Sequence, residues 1–423
     1  MINTQKPSNI RWHMAFIIFI IAMIAYLDRM NLSISAPMIM EEFAIDKVQF
    51  GMLMTVFSIA YAIIQVPGGI MAVKFGPKKV VSGAMLCWSI FTILTAIAPT
   101  YNILLAIRTI FGFGEGPLWP ACGHFFSKWY GKFERGKATS SILAGSFFGA
   151  VIGPTLTVII INMYSWHWSF FIYGFCGLFM FFIWHFYAKD LPEQHPNVNK
   201  AELLIINDTN ISSNTLQKVS IPWKKYFSQI QFWAIGIQFF VSMSLLTFFL
   251  AWLPVYLLEA RGFSLETMGI VSTFPWLALT IVVLASGKIS DSLIKNGIKK
   301  SYARSGLSIL GLVIAGLGLY LASIVESSIL IIIFLTVSLG AVGLIENMAW
   351  ASSTDLGGVN SGVISGWMNL WGNLGGAAAP LVAALLVVNF NWNISLLIMA
   401  STSIIGIIAW FFVNPDKPLP LSK

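Results

Sequence analysis

Long apolar stretches recur along the whole chain. Twelve of them reach membrane-spanning length, and they lie near residues 14–40, 50–72, 79–99, 102–126, 138–161, 168–188, 229–257, 267–287, 303–324, 327–350, 360–388 and 393–413. A helix needs about 20 mostly apolar residues to cross a bilayer, whereas the strands of a membrane barrel are about 10 residues of alternating polarity. Because backbone polar groups must be satisfied internally in hydrocarbon, these stretches predict an all-α integral membrane protein.

The composition agrees with this class and argues against others. Of the 423 residues, 57% are hydrophobic and 10% are charged, whereas a soluble domain carries about 25% charged residues. The net charge of +8 does not indicate a nucleic-acid partner, because the basic residues are confined to particular loops. The three cysteines and five histidines lack the spacing of a disulfide framework or a metal site. We therefore expect no cofactor.

One polar segment, residues 189–228, divides the apolar stretches into two groups of six. It is too short and too mixed in composition to be a domain, so we expect a cytoplasmic linker. The predicted organisation is an N-terminal six-helix bundle over 1–188, this linker, a C-terminal six-helix bundle over 229–414 and a cytoplasmic tail over 415–423. The two halves have nearly equal length, which predicts pseudo-symmetric bundles.

A weak internal repeat supports two related halves. A glycine-led, basic turn with Gly69, Gly76 and Lys78 follows the second span, and a similar turn with Gly287 and Asp291 follows the eighth. Repeated halves around a central site are the plan of many secondary transporters. We expect these two turns to be gating loops.

The distribution of Lys and Arg predicts the orientation. If the N-terminus is inside, all but four of the Lys and Arg residues lie in cytoplasmic segments, as the positive-inside rule requires. The four exceptions are Lys47 and Arg261, which lie outside, and Arg29 and Arg108, which lie within spans. Both termini are therefore expected in the cytoplasm. The first apolar run resembles a signal peptide, but it continues further and the span count requires it. We interpret it as an uncleaved helix.

Charged residues inside two spans carry the candidate chemistry. The first span contains Asp28 and Arg29, and the fourth contains Arg108 and Glu115 on one helix face, two turns apart. A charge at the centre of a membrane helix costs about 2.5–3.5 kcal/mol, so these four side chains are expected to neutralise one another. A purely structural ion-pair cluster is the alternative. However, adjacent residues differ by about 100° around a helix, which lets one face the network and the other a cavity.

The energy source follows from the kinds of motif in the sequence. There is no Gly-x-x-x-x-Gly-Lys-Ser/Thr loop for ATP, so a gradient must drive transport. Asp28 and Glu115 can take up a proton when a neighbouring cation moves or is captured by a substrate. The proton is therefore the expected coupling ion.

Polar and aromatic side chains at helical spacing predict further walls of a cavity. These are Tyr61 in the second span, Gln238 and Trp252 in the seventh, and Asn369 and Asn373 in the eleventh. Helix packing and interfacial anchoring are the alternatives, since amides join membrane helices and Trp gathers at membrane interfaces. Glu346, a third carboxyl within a span, either pairs with lysines near the membrane surface or takes part in transport.

These residues resemble the motifs of the major facilitator superfamily and, within it, of the anion:cation symporter family. The motifs are Tyr26-x-Asp28-Arg29-x-Asn31 in the first span and Arg108-x3-Gly112-x2-Glu115-Gly116-x3-Pro120 in the fourth, with Tyr61 and the Asn369-x3-Asn373 spacing in agreement. The resemblance covers the whole chain. It implies proton-coupled uptake of organic anions by alternating access, often of sugar acids such as galactonate, glucarate or hexuronates.

The resemblance also implies roles for the charged residues. Asp28 and Glu115 correspond to the proton-linked acids, and Arg108 corresponds to the partner of Glu115. Arg29 corresponds to the cation that binds the substrate carboxylate.

The same resemblance implies that Tyr26, Tyr61 and Asn373 line the substrate site. The sequence departs from the superfamily at one position of the turn after the second span, where Val73 replaces the usual Asp. That acid contributes to a cytoplasmic gate, so we expect the outward-open state to be held less firmly.

Other classes fit the residues less well. An exporter on the same fold would carry an antiporter motif in the fifth span, of which Gly149-x3-Gly153-Pro154 is only a part. A membrane enzyme would need a catalytic loop or a metal cluster, and a sensor would need a signalling domain. We expect a monomer of the inner (plasma) membrane that is not an enzyme and whose partners are a small organic anion, the proton and the bilayer. Sugar acids, dicarboxylates and aromatic acids all remain candidate anions.

Overall fold

The structure is a computed structural model that describes residues 6–131, 134–207 and 223–420. All regular secondary structure in these residues is helical. The α-helices are α1 (Ile10–Ile34), α2 (Ala36–Glu42), α3 (Lys47–Phe75), α4 (Pro77–Thr95), α5 (Tyr101–Glu115), α6 (Leu118–Trp129), α7 (Arg135–Met163), α8 (Trp166–Tyr187), α9 (Lys200–Asn207), α10 (Trp223–Phe227), α11 (Ile230–Val255), α12 (Leu265–Lys295), α13 (Leu307–Ile324), α14 (Ser328–Gly357), α15 (Ser361–Asn389) and α16 (Trp392–Phe411). Parts of the predicted linker (208–222) and tail (421–423) lie outside the described residues.

Eleven helical segments in this part of the chain are long and apolar enough to cross a membrane. They coincide with eleven of the twelve predicted spans. The predicted fourth span, near 102–126, consists of two shorter consecutive helices, α5 and α6.

Two prolines explain the break between α5 and α6. Pro117 and Pro120 have no N–H to donate, so the helical hydrogen-bond ladder loses two bonds within about one turn. Regular bonding resumes where the N–H of Ala121 donates to the Pro117 carbonyl at 3.1 Å. Helix α5 ends at Glu115, so the break lies directly beside one of the candidate site residues.

Glycines allow α3 to pack closely on this break. A Cβ atom on Gly116 would lie 2.7 Å from the Tyr61 carbonyl oxygen, and one on Gly68 would lie 2.8 Å from Cα of Pro117. Neither position has room for a side chain. The backbone of α3 therefore lies directly against the end of α5, which brings Tyr61 to the candidate site.

A row of glycines one turn apart holds α7 against α1. The row is formed by Gly145, Gly149 and Gly153. A Cβ atom on Gly149 would lie 3.1 Å from Cβ of Tyr26, and one on Gly153 would lie 3.0 Å from Cβ of Met30. Small residues are the usual means of close helix approach in membranes. This contact fixes the stretch of α1 that carries the adjacent acid and base.

The chain divides into two compact units. The first comprises Met1–Leu32 and Ile59–Gln217, and the second comprises Ser33–Ser58 and Lys218–Lys423. The change from the first unit to the second after Gln217 falls in the predicted linker.

The segment 33–58 belongs by its contacts to the second unit, although the sequence places it before the linker. The hydroxyl of Thr55 donates to the carbonyl of Ala377 at 2.9 Å. Lys47 forms an ion pair with Glu259 at 3.0 Å. The last turns of α1, helix α2 and the start of α3 are thus part of the second unit.

Helix α9, in the predicted linker, is tied to the start of α1 by a buried carboxylate. Glu202 is 0% exposed and accepts hydrogen bonds from the N–H groups of Ile10 and Arg11 at 3.1 and 3.0 Å. The hydroxyl of Ser8 and the guanidinium of Arg11 also donate to it. Because the first N–H groups of a helix lack intrahelical partners, Glu202 caps α1. Arg11 also pairs with Glu134, directly before α7, at 2.9 Å.

We expect Glu202→Ala to lower the free energy of unfolding by about 3 kcal/mol, because it leaves a buried charge without one of its partners. Burial alone would raise the pKa of Glu202, but hydrogen bonds from Ser8, Arg11 and Ile10 hold that pKa below its ordinary value. The stabilisation is therefore complete above the ordinary carboxyl pKa of about 4.3. It is lost as the pH falls through the lower folded-state value.

Thermal unfolding in detergent, from neutral pH downwards, measures this effect. The difference in unfolding temperature between wild type and Glu202→Ala should become smaller as the pH falls. Glu193→Gln, which changes an exposed acid in the same segment, should unfold like the wild type. A difference that stays constant with pH would contradict a role for the ionised carboxylate.

Candidate functional site

The four predicted charged residues and Tyr61 lie together within the first unit, on three helices. Helix α1 contributes Asp28 and Arg29, α5 contributes Arg108 and Glu115, and α3 contributes Tyr61. Asp28 and Glu115 are each 1% exposed and Arg108 is 2% exposed. Charged side chains are almost never so buried without partners, so their mutual contacts define the site.

An ion pair joins Arg29 to Glu115. The Nη2 and Nε atoms of Arg29 lie 2.6 and 2.8 Å from Oε1 of Glu115. Two guanidinium nitrogens thus converge on one carboxylate oxygen. Pairs of this kind, between an ionised donor and an ionised acceptor, are the stronger class of hydrogen bond.

This ion pair adds a partner to Glu115 beside Arg108, the partner expected from the sequence, and the substrate role of Arg29 stays a prediction. Arg108 and Glu115 are two turns apart on one helix, an axial rise of about 10 Å, whereas Arg29 approaches Glu115 from the facing helix. The guanidinium of Arg108 lies over the ring of Phe111, 4.3 Å from its centroid. It still interacts electrostatically with Glu115 and Asp28.

Two tyrosines enclose the guanidinium of Arg29. Its central carbon lies 4.7 Å from the ring centroid of Tyr61 and 5.1 Å from that of Tyr26. A cation over an aromatic face is attracted by the ring quadrupole. The tyrosines therefore orient the guanidinium as well as forming the wall around it.

Asp28 is a buried acid with a different environment. Its carboxylate oxygens have no well-formed hydrogen bond among the described residues, and the side chain of Thr92 on α4 is their polar neighbour. Its charged neighbours are Glu115 and Arg108. Burying an ionised carboxylate without donors is costly, so Asp28 is suited to accept a proton.

Trp252, predicted to line a substrate site, is a packing residue in this structure. It is 0% exposed, and its indole N–H donates to the carbonyl of Pro380 at 2.9 Å. Its ring packs edge-on against Phe50 and Trp392, with centroids 5.8 and 5.9 Å apart. Its polar atom is thus engaged within the second unit in this structure, and its substrate role stays a prediction.

The three predicted amides also lie in the second unit. Gln238 is 0% exposed and donates to the Ile235 carbonyl at 2.9 Å, while its buried Oε1 atom has no donor among the described residues. Asn369 and Asn373 are half-buried. The side-chain amide of Asn373 donates to the carbonyl of Asn369 at 2.9 Å, a bond within one helix.

The first predicted gating turn is shorter than the sequence suggests. Gly69 lies inside α3, which continues to Phe75. Gly76 has φ of 92°, a backbone conformation that favours glycine. The N–H of Lys78 donates to Oδ1 of Asp190 at 2.9 Å. Asp190, in the predicted linker, therefore holds the start of α4.

The second predicted gating turn is helical. Gly287 and the exposed Asp291 both lie inside α12, which ends at Lys295. A single glycine costs a helix only about 1 kcal/mol, and polar residues allow a helix to extend beyond the apolar region. The prediction that these two residues form a turn is therefore wrong.

Sequence reasoning missed the acids that join distant segments. Besides Glu202 and Asp190, Asp355 at the end of α14 pairs with Lys300 at 3.1 Å and with Arg304. The signal in the sequence was an acid close to a basic segment at the end of a span. The partners are far apart along the chain, so this signal does not identify which residues pair.

The arrangement offers two kinds of chemistry. Arg29 can bind an anion, and Asp28 and Glu115 can exchange protons beside it. Within the part of the chain that the structure describes, no group of three His, Cys, Asp or Glu side chains is placed to hold a metal ion.

The chain matches the model of the Major Facilitator Superfamily over residues 18–380. It therefore belongs to this superfamily, and the predicted fold class is confirmed. The fold is also that of a solved bacterial homologue of the human lysosomal transporter Spinster, in an inward-facing and unoccupied conformation. The TM-score is 0.78 at 14% identity, and the match covers 97% of each chain.

Several curated relatives are transporters of organic anions. The chain is 30% identical to the "Probable sulfoacetate transporter SauU" of Cupriavidus necator, over 93% of this chain and 91% of that protein. It is 28% identical to the D-galactonate transporter of Escherichia coli O6:H1, over 98% of each chain. It is 27% identical to the "Probable galactarate/D-glucarate transporter GudP" of Bacillus subtilis, over 99% and 95%. The chain is thus a multi-pass membrane transporter rather than an enzyme, and the resemblance to the anion-transporting family is confirmed.

Proposed function

We propose that this protein takes up an organic anion together with protons by alternating access. The observation that carries the proposal is the buried Arg29–Glu115 ion pair beside the buried acid Asp28. Ionisable groups inside a membrane protein mark substrate and ion pathways. Membership of the superfamily supports transport, and the names of the relatives support an anionic substrate.

Glu115 and the substrate compete for Arg29. A guanidinium binds a carboxylate or a similar oxyanion through parallel N–H donors, but here Glu115 occupies it at 2.6 and 2.8 Å. A proton that reaches Glu115 neutralises the carboxylate and releases Arg29 for the anion. The bound anion then keeps Arg29 away from Glu115, which favours the protonated acid. Each ligand therefore promotes binding of the other, as coupling requires.

Asp28 and Arg108 complete the charge balance. Asp28 provides a second acid in the same network, and Arg108 remains as a fixed positive charge near both acids. An uncompensated charge is costly in the membrane. The carrier therefore reorients only when the network is neutral. The empty carrier is neutral with the Arg29–Glu115 ion pair intact, and the loaded carrier is neutral with Glu115 protonated and the anion bound to Arg29.

The substrate class is a small acid, most simply a sugar acid. The relatives are named for sulfoacetate, D-galactonate and galactarate or D-glucarate, and all of these are compact anions. Tyr26 and Tyr61 surround the guanidinium that would hold the acid group. Gln238, Asn369 and Asn373 offer amide donors and acceptors of the kind that hydroxyl groups require.

We also propose that the protein is a monomer of the inner (plasma) membrane with both termini in the cytoplasm. The positions of Lys and Arg along the chain support this orientation. The two groups of six spans predicted in one chain support a pathway in a single copy.

Proteoliposomes test the proposal directly. An imposed pH gradient, acidic outside, should drive accumulation of radiolabelled D-galactonate, D-glucarate or sulfoacetate, after a thermal-shift screen has ranked these acids. A bound ligand at a hundredfold excess over Kd stabilises the folded state by about 2.7 kcal/mol. A membrane potential contributes about 2.3 kcal/mol per charge per 100 mV if more protons than anionic charges move. Uptake that ignores both gradients would exclude proton coupling, and outward pumping or obligate exchange would favour an exporter or exchanger.

Replacing Asn369 or Asn373 with Leu is expected to raise KM more for a polyhydroxy acid than for a short acid. The loss of one hydrogen bond to a substrate hydroxyl costs about 0.5–1.5 kcal/mol, or roughly two- to tenfold in KM. Uptake of D-galactonate and of sulfoacetate by the same variant gives the comparison. Equal losses for the two acids would assign the amides to helix packing.

A further inference from the structure

A third carboxyl within a span lies in the second unit and takes no part in the network described above. Glu346 is in α14, eleven residues before the helix ends at Gly357, an axial distance of about 16 Å. No ion pair joins it to a lysine that the structure describes. Within the described residues, the polar contact of its side chain is the hydroxyl of Ser242 on α11, which donates to it at 3.3 Å.

No cation compensates Glu346 in the described part of the chain. The ionisable side chains on α14 and on the segments packed against it are Glu266, Lys288, Asp291 and Lys295 on α12, Tyr302 and Arg304 before α13, Tyr320 on α13 and Asp355 on α14. None of them forms an ion pair with Glu346. The neighbouring cations at this end of α14, Lys300 and Arg304, are held by Asp355.

The contacts of Glu346 suit a neutral acid better than a carboxylate. An ionised carboxylate offers about four acceptor positions, and a single hydroxyl at 3.3 Å is longer than the usual O–H···O bond. Gln238, one turn before Ser242 on α11, has a buried Oε1 atom without a donor. A proton on Glu346 would remove its charge and add a donor on the α14 side of this contact, and Gln238 lies on the same face of α11 as Ser242.

The neighbouring residue, Asn347, supplies the polar contact between α14 and α12. Asn347 donates to the carbonyl of Val283 at 2.5 Å and to the hydroxyl of Ser286 at 3.0 Å, both on α12. Glu346 lies about 100° away around the helix and meets α11 instead. Asn347 thus supplies the polar helix contact at this level, and the half-buried Glu346 carboxyl remains able to exchange a proton.

We propose that Glu346, with Ser242 and Gln238, is an additional proton-binding site of the transporter, separate from Asp28 and Glu115, and that it adds one proton to each transport cycle. This inference rests on the proposed proton-coupled function. In the loaded carrier the side chain is protonated and neutral. In the empty carrier the site opens to water, which releases the proton and solvates the ionised carboxylate in place of a cation.

Infrared difference spectra recorded during a pH titration of the purified protein test the site without any substrate. A protonated buried carboxyl has a C=O stretching band that an ionised carboxylate lacks. Glu346→Gln should lose one pH-dependent band of this type. Glu326→Gln, which changes an exposed acid just before α14, should retain it. An unchanged set of bands in Glu346→Gln would overturn the proposal, whatever transport assays show.

Accumulation of D-galactonate in proteoliposomes measures the added proton. With the membrane potential held at zero, each coupled proton raises equilibrium accumulation tenfold per pH unit, since each pH unit corresponds to about 1.4 kcal/mol. Glu346→Gln should therefore accumulate about tenfold less than wild type across a gradient of one unit, and Glu326→Gln should match wild type. Equal accumulation by Glu346→Gln and wild type would overturn the proposal that Glu346 adds a proton to each transport cycle.

A second variant covers the case in which Glu346→Gln fails to fold. Ser242→Ala keeps the acid and removes its hydroxyl partner, so the carboxyl band should remain but titrate at a different pH. A band that titrates as in wild type would contradict the proposed site. If wild type shows no accumulation at all, the proposed function fails, and the infrared titration alone decides whether Glu346 binds a proton.

Discussion

Replacing Glu115 with Gln is expected to abolish accumulation driven by a pH gradient while anion binding survives. The amide resembles the protonated acid in shape and charge, but it cannot take up or release a proton. Without the Glu115 charge, the empty network has one uncompensated positive charge, which is costly to move within the membrane. The empty variant should therefore not return, and net accumulation should fail even if another acid carries a proton. Because an amide does not titrate, anion binding should also lose the part of its pH dependence that comes from Glu115.

Exchange of internal for external anion separates lost coupling from lost folding. We expect Glu115→Gln to exchange radiolabelled D-galactonate, since the loaded carrier is already neutral at this position. Glu41→Gln, which changes an exposed acid at the end of α2, should accumulate the anion like wild type. Full pH-driven accumulation by Glu115→Gln would remove Glu115 from the coupling mechanism.

Arg29→Lys is expected to weaken anion binding about ten- to hundredfold, although the positive charge is conserved. Two nitrogens of Arg29 approach one carboxylate oxygen, and the guanidinium lies 4.7 Å from the centroid of the Tyr61 ring. An ammonium group is a point charge without the planar pair of donors. Loss of one hydrogen bond to a charged group is worth about 1.5–3 kcal/mol, which sets the expected range.

Calorimetric titration with D-galactonate, or with the acid that stabilises the wild type most, measures this change. The lysine can still pair with Glu115, so the variant should insert and fold normally. Arg261→Lys, a charge-conserving change in the loop before α12, should bind like wild type. An unchanged Kd in Arg29→Lys would exclude Arg29 from the substrate site.

Local composition was enough to locate the spans and the charges within them. The cost of placing a residue in hydrocarbon depends mainly on that residue and its neighbours, so hydropathy found the spans and singled out Asp28, Arg108 and Glu115. The break in the fourth span was also present in the sequence, at Pro117 and Pro120. The apolar length of the segment nevertheless favours one continuous helix, although two local breaks in hydrogen bonding are present.

The partners of these residues were not predictable in the same way. By the sequence pattern, either Arg29 or Arg108 could pair with Glu115. Only the packing of α1 against α5 shows that Arg29 forms an ion pair with it. Trp252 satisfied the spacing of a cavity wall, yet its N–H bonds to Pro380 on a distant helix. Helical periodicity identifies a face of a helix, but it does not say what that face meets.

By itself, the sequence determined that the chain spans the membrane as two sets of helices, which charged side chains those helices carry, and to which superfamily the motifs belong. Only the tertiary structure decided that Arg29 pairs with Glu115, that Glu202 caps α1 and that Glu346 meets Ser242 rather than a lysine. The physical reason is that transfer into the membrane is a local free energy, whereas pairing depends on close helix contacts. Those contacts depend on glycines such as Gly149, which lies far along the chain from the part of α1 that it packs against.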